Sequence, residues 1–315
     1  MSKCLVTKLN GSSNNTELLR LGEMKISINK IDSPNKVTQG FNFIFNKAVK
    51  LEIIGNGNFT DDTLTVNKGK QITLTPNVSQ RVYVSNDDFD VAILDKYSIV
   101  RMFNYDEYDP SINYASKNKF ISNIDVFKYS KDLDSLILSN TKVSGDIANL
   151  KELTSLTSLS LYNTKVSGDI ANLKTLTALT KLELYNNNLP ITGNIGELST
   201  LLNCNYIIID YSKLTGDLAV LPSACKYISA IFDKGSVFTW SNRPTSAKIL
   251  AINTKASLTN IDKMLQDQAK CQVGFTPSDP IAYKTISVTG NRTSASDDAV
   301  ATLQQKGYTV SINPA

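Results

Sequence analysis

The residues that could do chemistry in this sequence are carboxylates and four cysteines, because the chain contains no histidine. A Ser-His-Asp or Cys-His nucleophile needs an imidazole base, and most zinc sites use histidine ligands. These classes of site are therefore excluded, as are histidine-based pH switches near neutrality. An enzyme built on this chain would have to work with carboxylates, lysine or tyrosine alone.

The acidic residues form short runs in the first 110 positions. A calcium loop needs oxygen ligands at alternate positions around a central glycine, and the run from Asn86 to Asp90 has no glycine. Asp61 and Asp62 form another acid pair. Asp106, Glu107 and Asp109 supply carboxylates of the type that glycosidases pair, but nothing separates them from ordinary loop acids. We therefore predict no catalytic residue, no metal site and no cofactor. An enzyme using carboxylates of this region is kept as the third class of function.

The cysteines are too far apart in sequence for a CxxC metal or redox motif; they are Cys4, Cys204, Cys225 and Cys271. Small buried apolar residues are the first interpretation. A disulfide between Cys204 and Cys225 is the second, because these two residues fall on neighbouring repeats of the array described next.

The middle of the chain repeats. Residues 140–151 read NTKVSGDIANLK, and residues 163–174 read the same twelve letters 23 positions later. One glycine per repeat keeps the register, with steps of 23, 25 and 23 residues, at Gly145, Gly168, Gly193 and Gly216. Self-similarity at such a period predicts stacked coils, none of which can bury its apolar side alone.

Each repeat carries an LxL-type pair before its glycine, at nine and seven residues in three repeats and at eleven and nine in the third: Leu136/Leu138, Leu159/Leu161, Leu182/Leu184 and Ile207/Ile209. Residues i and i+2 of a strand share a face, so the pair points into the core and the residue between them points out. The glycine allows a turn that a Cβ would resist. Three positions after each pair, a polar residue faces inward and is expected to hydrogen-bond backbone groups between coils: Thr141, Thr164, Asn187 and Ser212.

The combined pattern, LxxLxLxx(T/N)x(V/L)(S/T)GxI, resembles the leucine-rich repeat family over about Leu133 to Leu221. Its (S/T)-G-x-I element looks like the subtype best known from plant receptors, which also occurs in bacteria and phages. The resemblance implies a solenoid with a parallel sheet on its concave side, and binding as the usual task. We assign residues 133–232 to the leucine-rich repeats.

Residues 233–315 are predicted to form degenerate repeats and a C-terminal strand–helix cap. Strands are expected at 248–253, 285–288 and 308–312. Apolar residues at helical spacing predict a helix over Thr259 to Cys271, with Ile261, Met264, Leu265 and Ala269 on one side. A second helix is predicted to start with Ser296 as its N-cap and to end before Gly307.

The N-terminal part of the chain has a period of two instead. Apolar residues alternate or run together in six segments at 24–30, 41–46, 50–55, 63–67, 71–76 and 81–86, which predict a small all-β sandwich over residues 23–96. The Asn67–Lys70 segment reads as a hairpin turn between two of them. Residues 97–132 are assigned to the junction and the N-terminal cap of the solenoid.

Residues 1–22 match neither pattern and are interpreted as a docking arm with two apolar patches: Leu5 and Val6, then Leu18, Leu19 and Leu21. Such an arm orders on a partner. A strap across its own β domain is the open alternative.

The outward positions of the repeat strands become more aromatic toward the C-terminal coils. Tyrosine with Asn and Asp provides flat contact area with polar tips, which binding surfaces use. The candidate ligand-binding residues on the concave face are Tyr162, Tyr185, Tyr206, Asp210, Tyr211, Tyr227 and Phe232. Because strands favour tyrosine in any case, a purely structural role is the alternative.

Charge and hydropathy exclude two kinds of partner. The chain has 33 basic and 29 acidic residues, a net charge of +4 that is spread along the sequence rather than gathered in a stripe, so no nucleic acid is expected. No run approaches 18 apolar residues and the N-terminus has no apolar signal segment, so neither membrane insertion nor ordinary secretion is expected.

The predicted organisation is an anchor with a presenting module. The arm and the small β domain form the anchor, and the distal repeats, which carry no catalytic residues, form the presenting module. The Asn-, Lys- and Thr-rich character resembles leucine-rich-repeat proteins of crAss-like phages of gut Bacteroidetes. This resemblance implies a virion protein, a head fibre or capsid decoration, made in the host cytoplasm and oligomeric on the particle. Its N-terminal region would bind capsid or other virion proteins, and its repeats a host or mucosal glycan or protein. The alternatives are a bacterial interaction or adhesion protein at the cell surface and a phage tail or tail-fibre component.

Overall fold

The structure, a computed structural model, describes residues 123–185, 191–209, 213–230 and 236–314 in full. Between residues 24 and 104 it describes the strands and their pairing. Several predicted features lie outside the described residues: the docking arm, Asp210, Tyr211 and Phe232 of the candidate face, Asn187 and Ser212, Cys4, and the side chains of the acidic runs before residue 110.

The described N-terminal strands are β1 (Met24–Ile28), β2 (Gly40–Phe45), β3 (Val49–Gly55), β4 (Phe59–Thr60), β5 (Thr65–Val66), β6 (Gln71–Leu74), β7 (Gln80–Tyr83), β8 (Phe89–Ile93) and β9 (Ile99–Asn104). Six of them overlap the six predicted segments, and three, β4, β8 and β9, lie outside these segments. Four of the described strands form an antiparallel sheet in the order β1-β8-β3-β6, and β2 pairs antiparallel with β7 and β9. Their packing as a sandwich stays a prediction.

The segment 67–70, predicted as a hairpin turn, lies outside the described residues, and the strands on either side of it have other partners. β5 pairs with β4 across residues 61–64, whereas β6 pairs with β3.

The repeats form two parallel sheets, because each coil contributes two short strands. These strands are β10 (Ser135–Ile137), β11 (Ser144–Asp146), β12 (Ser158–Ser160), β13 (Lys165–Asp169), β14 (Lys181–Glu183), β15 (Ile191–Asn194), β16 (Tyr206–Ile208), β17 (Lys213–Asp217), β18 (Tyr227–Ala230) and β19 (Val237–Thr239). Even-numbered strands pair in one parallel sheet and odd-numbered strands in the other. β9 pairs parallel with β10, so the first sheet continues into the N-terminal strands.

A 3-10 turn follows the second strand of each coil. The turns are Ile147–Leu150, Ile170–Leu173, Ile195–Thr200 and Leu218–Val220, and an earlier one, Ile124–Phe127, precedes β10. Asn123 caps this earlier turn as Asp146 caps the next, 23 residues later. The stack therefore begins one coil before the recognisable repeats, within the segment that the sequence assigned to the junction.

The array glycines are required for two reasons. Gly145, Gly168, Gly193 and Gly216 have φ between +110° and +126°, a region that side chains rarely adopt. A Cβ at any of them would also lie 2.1–2.3 Å from the Oδ1 of an Asn or Asp on the preceding coil. That same oxygen caps a 3-10 turn by accepting a backbone N–H two residues on, as Asp169 does from Ala171 at 2.9 Å. Asp146 and Asp169 are exposed, and each fills with its Oδ1 the space that the glycine of the next coil leaves open.

The core lies between the two sheets and the 3-10 turns. All eight members of the LxL-type pairs are at most 1 % exposed. Burying one such side chain contributes roughly 1.5–3 kcal/mol, so the stacked pairs supply the main stabilisation of the array.

Thr141 and Thr164 are buried as predicted, and the hydroxyl of Thr141 bonds within its own coil instead of between coils. The Thr164 hydroxyl donates to the carbonyl of Leu161 at 2.8 Å and accepts the N–H of Val166 at 3.3 Å, all within one coil. Thr141 repeats this arrangement. A hydroxyl at this position thus bonds the backbone of its own turn.

The disulfide hypothesis for Cys204 and Cys225 is not supported: both residues are free and buried. Each thiol points at a backbone carbonyl of its own coil, those of Tyr206 and Tyr227, at 3.6 Å. Burial raises the pKa of Cys204 to about 12 and that of Cys225 to about 11, which keeps both thiols protonated.

The C-terminal residues continue both sheets and close them. β20 (Ala251–Leu258) pairs with β18 through its first half and with β19 through its second half. The helices α1 (Ile261–Lys270) and α2 (Asp297–Gln305) alternate with β21 (Thr285–Thr289) and β22 (Thr309–Asn313), which extend the first sheet in parallel. The predicted strand at 248–253 therefore begins later, and the other predicted elements lie within two residues of their expected positions.

The predicted end of α2 is confirmed, and its predicted start is only partly right. Gly307 has φ +88°, and the N–H of Tyr308 reaches the carbonyl of Leu303 in a Schellman arrangement. Ser296 does occupy the N-cap position, but its hydroxyl donates to Asp262 of α1 at 2.6 Å instead of capping α2. The α1 carboxylate is the stronger acceptor available to this hydroxyl.

Candidate binding face

The candidate site is the solvent-facing side of β10, β12, β14, β16 and β18, called the strand face below. Strand register places equivalent residues of successive coils side by side, as in the row Ser158, Lys181, Tyr206 and Tyr227. The LxL pattern positions these side chains, because every leucine that points inward forces its neighbours outward.

Tyr162 and Tyr185 stack on each other on this face, with ring centroids 4.5 Å apart and planes 8° apart. This spacing matches the roughly 4.7–4.9 Å between neighbouring strands, so the rings stack along the direction from coil to coil. They consequently stand upright on the sheet. Each ring covers a face of the other, and the pair offers ring edges and hydroxyls to a ligand.

A second aromatic cluster forms around Tyr206. Tyr227 stacks on it at 5.3 Å, and the Lys181 ammonium lies 5.8 Å from its centroid, so neighbours from both adjoining coils approach this ring. Tyr283, from the 3-10 turn Ile281–Lys284 of the C-terminal unit, contacts both Tyr206 and Tyr227 at 5.5 and 5.3 Å. The C-terminal unit therefore covers the last coils of the strand face.

Burial within this cluster changes how its phenols titrate. Desolvation, with the Glu183 carboxylate nearby, raises the pKa of Tyr206 far above its ordinary value. Desolvation and Asp279 raise that of Tyr283 to about 12. Both phenols are hydrogen-bond donors throughout the physiological range.

A polar network lies between the two aromatic groups. Glu183, only 6 % exposed, accepts a hydrogen bond from the Ser160 hydroxyl at 2.6 Å and pairs with Lys181 at 3.0 Å. Ser160 in turn shares a hydrogen bond with Ser139 at 2.7 Å. These contacts link three coils, so the centre of the strand face is pre-organised.

An asparagine ladder borders the same face. Asn140 and Asn163 adopt left-handed backbone conformations, with φ of 59° and 54°. The Asn163 amide donates to Asn140 Oδ1 at 2.9 Å, and the Asn140 amide donates to the Tyr162 hydroxyl at 3.3 Å. These side-chain bonds join neighbouring coils at the surface.

The structure brings four of the predicted ligand residues into two groups, Tyr162 with Tyr185 and Tyr206 with Tyr227. Tyr227 is only 6 % exposed beneath Tyr283, so it supports the cluster and offers little surface of its own. Tyr283 and Ile281, the latter 80 % exposed, were missed by the sequence analysis. An aromatic residue shortly after Pro277 and Pro280 was the available signal, because a proline-rich loop holds its side chains in place.

No cluster of three or more His, Cys, Asp or Glu side chains that could hold a metal ion occurs among the described residues. In the same part of the chain, the helices are too short and too polar to span a bilayer.

Comparisons with family models and with curated proteins give no match to this chain. Solved structures do match. Internalin C2 of Listeria monocytogenes is 25 % identical over 30 % of this chain and 39 % of its own, with a TM-score of 0.26. The LRR ectodomain of the receptor kinase GASSHO1/SCHENGEN3 of Arabidopsis thaliana is 19 % identical, covering 61 % and 23 %, with a TM-score of 0.38.

An internalin (InlF) of Listeria monocytogenes is 18 % identical over 61 % of this chain and 58 % of its own, with a TM-score of 0.36. The chain therefore spans less than two thirds of each of these structures. The coil length, the parallel strand pairing and the glycine turns of the described repeats together have the architecture of a leucine-rich-repeat solenoid.

Proposed function

We propose that this chain is a non-enzymatic binding protein whose strand face contacts a protein on a bacterial host surface. The observation that carries the proposal is the pre-organised centre of this face, where Glu183, Lys181 and Ser160 are tied together beside the Tyr162–Tyr185 stack. Side chains that are already ordered lose little entropy on binding, which favours recognition by this surface.

The ring orientation favours a protein ligand over a glycan. Sugars bind aromatic residues by lying flat on ring faces that point to solvent, whereas Tyr162 and Tyr185 stand upright on the sheet and each covers one face of the other. Upright phenols offer hydroxyls and ring edges, which suit the carbonyls and side chains of a polypeptide.

We further propose that the chain is a virion component, a head fibre or capsid decoration, anchored through its N-terminal region. The support is the order of its parts: an arm with two apolar patches, then a β-rich segment, then a distal repeat module. Several copies on one particle would strengthen weak individual contacts by avidity.

The strand face is tested by a Tyr162→Ala/Tyr185→Ala double variant, measured for binding to intact host cells. We expect at least a tenfold loss of affinity, since the change removes both rings of the stack. Tyr129→Ala is the matched control, because Tyr129 is 48 % exposed but follows a 3-10 turn away from the strand face. Unchanged binding by the double variant would remove this face from the proposal.

The ligand class is tested on the same cells after treatment. Protease treatment should abolish binding of the unaltered chain, and periodate oxidation of glycans should leave it intact. Binding that survives protease but not periodate would assign the ligand to a glycan instead.

The virion role is tested by mass spectrometry of particles purified on a density gradient from the source culture. We expect stoichiometric recovery, with a high copy number for a capsid decoration and about a dozen copies for a tail component. Deleting residues 1–22 should abolish incorporation while leaving a folded chain. Absence from particles, with recovery in the cell envelope, would favour the bacterial adhesion protein.

A further inference from the structure

The last strand leaves one edge of the first sheet open. β22 pairs with β21, and within the described residues no strand pairs with its other edge. The carbonyl of Asn313 accepts the N–H of Gly290 at 2.9 Å, so Asn313 directs its backbone groups toward β21. Because successive strand residues alternate in direction, Val310 and Ile312 direct their N–H and C=O groups to the open edge.

This edge lacks the usual protection against pairing. Natural edge strands carry charges, prolines or bulges, whereas β22 reads TVSIN, with neither a charge nor a proline. Its apolar Val310 and Ile312 are half-buried, and Thr309, Ser311 and Asn313 are exposed. The strand thus presents unused backbone groups together with apolar surface that is only partly covered.

We propose that β22 pairs antiparallel with β22 of a second copy of this chain, around a two-fold axis at Ser311. This register places Ser311 opposite its own copy, Thr309 opposite Asn313, and Val310 opposite Ile312. Since Val310 and Ile312 both face the open edge, the two Val–Ile pairs are the hydrogen-bonded ones, with four N–H···O=C bonds in total.

The strand β22 is complementary to itself on both faces, so the open edge fits β22 of a second copy of this chain. The two-fold sets apolar residues against apolar residues on the half-buried face and polar against polar on the exposed face. An uncharged strand meets no repulsion from its own copy, and a two-fold closes the assembly at a dimer. This inference is independent of the proposed function, because it uses no residue of the strand face.

A cysteine at the axis tests the register directly. Opposite residues of a non-hydrogen-bonded pair have Cα atoms about 4.5 Å apart, which is within disulfide range. Ser311→Cys in a Cys4→Ser background should therefore form a covalent dimer on mild oxidation. Thr309→Cys in the same background is the control, because its two copies would lie roughly 14 Å apart along the strands. Equal cross-linking of both variants, or none, would overturn the register.

Sedimentation equilibrium of the full chain tests the dimer itself. Ile312→Pro removes an N–H that faces the open edge and leaves the ladder with β21 intact, so it should raise the dimer dissociation constant at least tenfold. Ser311→Ala keeps every edge donor and should leave the constant within twofold. A chain that is monomeric at all concentrations, or a dimer unaffected by Ile312→Pro, would overturn the proposal. The cross-linking result remains decisive if the proline variant does not fold.

Discussion

At the residue scale, each coil depends on a pair formed by one glycine and one acidic or amide side chain from the coil before it. Gly168 has φ +126°, and its missing Cβ leaves the space into which Asp146 Oδ1 fits. The oxygen also caps its own 3-10 turn through Ala148 at 2.8 Å. The absence of a side chain at Gly168 therefore has two effects: it allows the positive φ of the turn, and it leaves room for the carboxylate of the preceding coil.

We expect Gly168→Ala to destabilise the array by about 1–3 kcal/mol from backbone strain alone, with more from displacement of Asp146. Urea unfolding followed by circular dichroism measures the loss. Gly196→Ala is the control: it has no positive φ and its Cβ would lie 3.0 Å from Asn194 Oδ1, so its change should stay below about 1 kcal/mol. Similar losses in both variants would show that the glycine geometry is not responsible.

At the element scale, Asp262 joins the N-terminal ends of α1 and α2. It accepts hydrogen bonds from the Ser296 hydroxyl and from the hydroxyl and N–H of Thr293, at 2.6–3.1 Å. These bonds, led by that of Ser296, hold the pKa of Asp262 below its ordinary value of 3.8. The charged carboxylate therefore links the two helix ends.

This contact predicts an acid-sensitive C-terminal unit. Because the folded-state pKa lies below the unfolded one, the stabilisation is complete well above pH 4 and is lost as the pH falls through the folded value. We expect Asp262→Asn to reduce stability at pH 7 and to shrink the drop in melting temperature between pH 7 and pH 3. Asp298→Asn removes a carboxylate from α2 without affecting these bonds. Its melting temperature should therefore fall between pH 7 and pH 3 by more than that of Asp262→Asn. An unchanged drop in Asp262→Asn would contradict the assignment.

At the scale of the whole molecule, Arg243 ties the repeat array to the C-terminal unit. It is 4 % exposed, and its five N–H groups each meet a backbone carbonyl at 3.1–3.4 Å: those of Ala219, Leu221, Pro222, Cys225 and Lys248. A planar fork with five donors satisfies all of these acceptors at once. Gln268 does the same for the Leu250 peptide, whose N–H and carbonyl it meets at 2.7 and 2.9 Å.

We expect Arg243→Lys to cost about 3 kcal/mol or more, because an ammonium has three donors and leaves buried carbonyls unpaired. Thermal unfolding should show a lower midpoint, with the C-terminal unit melting before the array. Arg292→Lys, at an exposed ion pair with Asp297, is the control and should cost less than about 1 kcal/mol. A single unchanged transition in Arg243→Lys would show that the guanidinium does not couple the two parts.

Much of the candidate site could be predicted from the sequence, since strand alternation alone places Tyr162, Tyr185 and Tyr206 outward. What alternation does not predict is how their rings lie. The upright stack of Tyr162 on Tyr185 follows from the distance between coils, and Tyr283 reaches the cluster from a separate loop of the C-terminal unit.

The sequence by itself determined the period of the coils, the buried LxL pairs, the glycine turns and the position of the helices, because each depends on residues close together in the chain. Only the tertiary structure decided that Asp146 Oδ1 fills the space beside Gly168, that Thr141 bonds within its own coil, and that Cys204 and Cys225 are not bonded to each other. These features depend on which side chains meet when one coil is laid on the next, and hydrophobic spacing along the chain does not specify that.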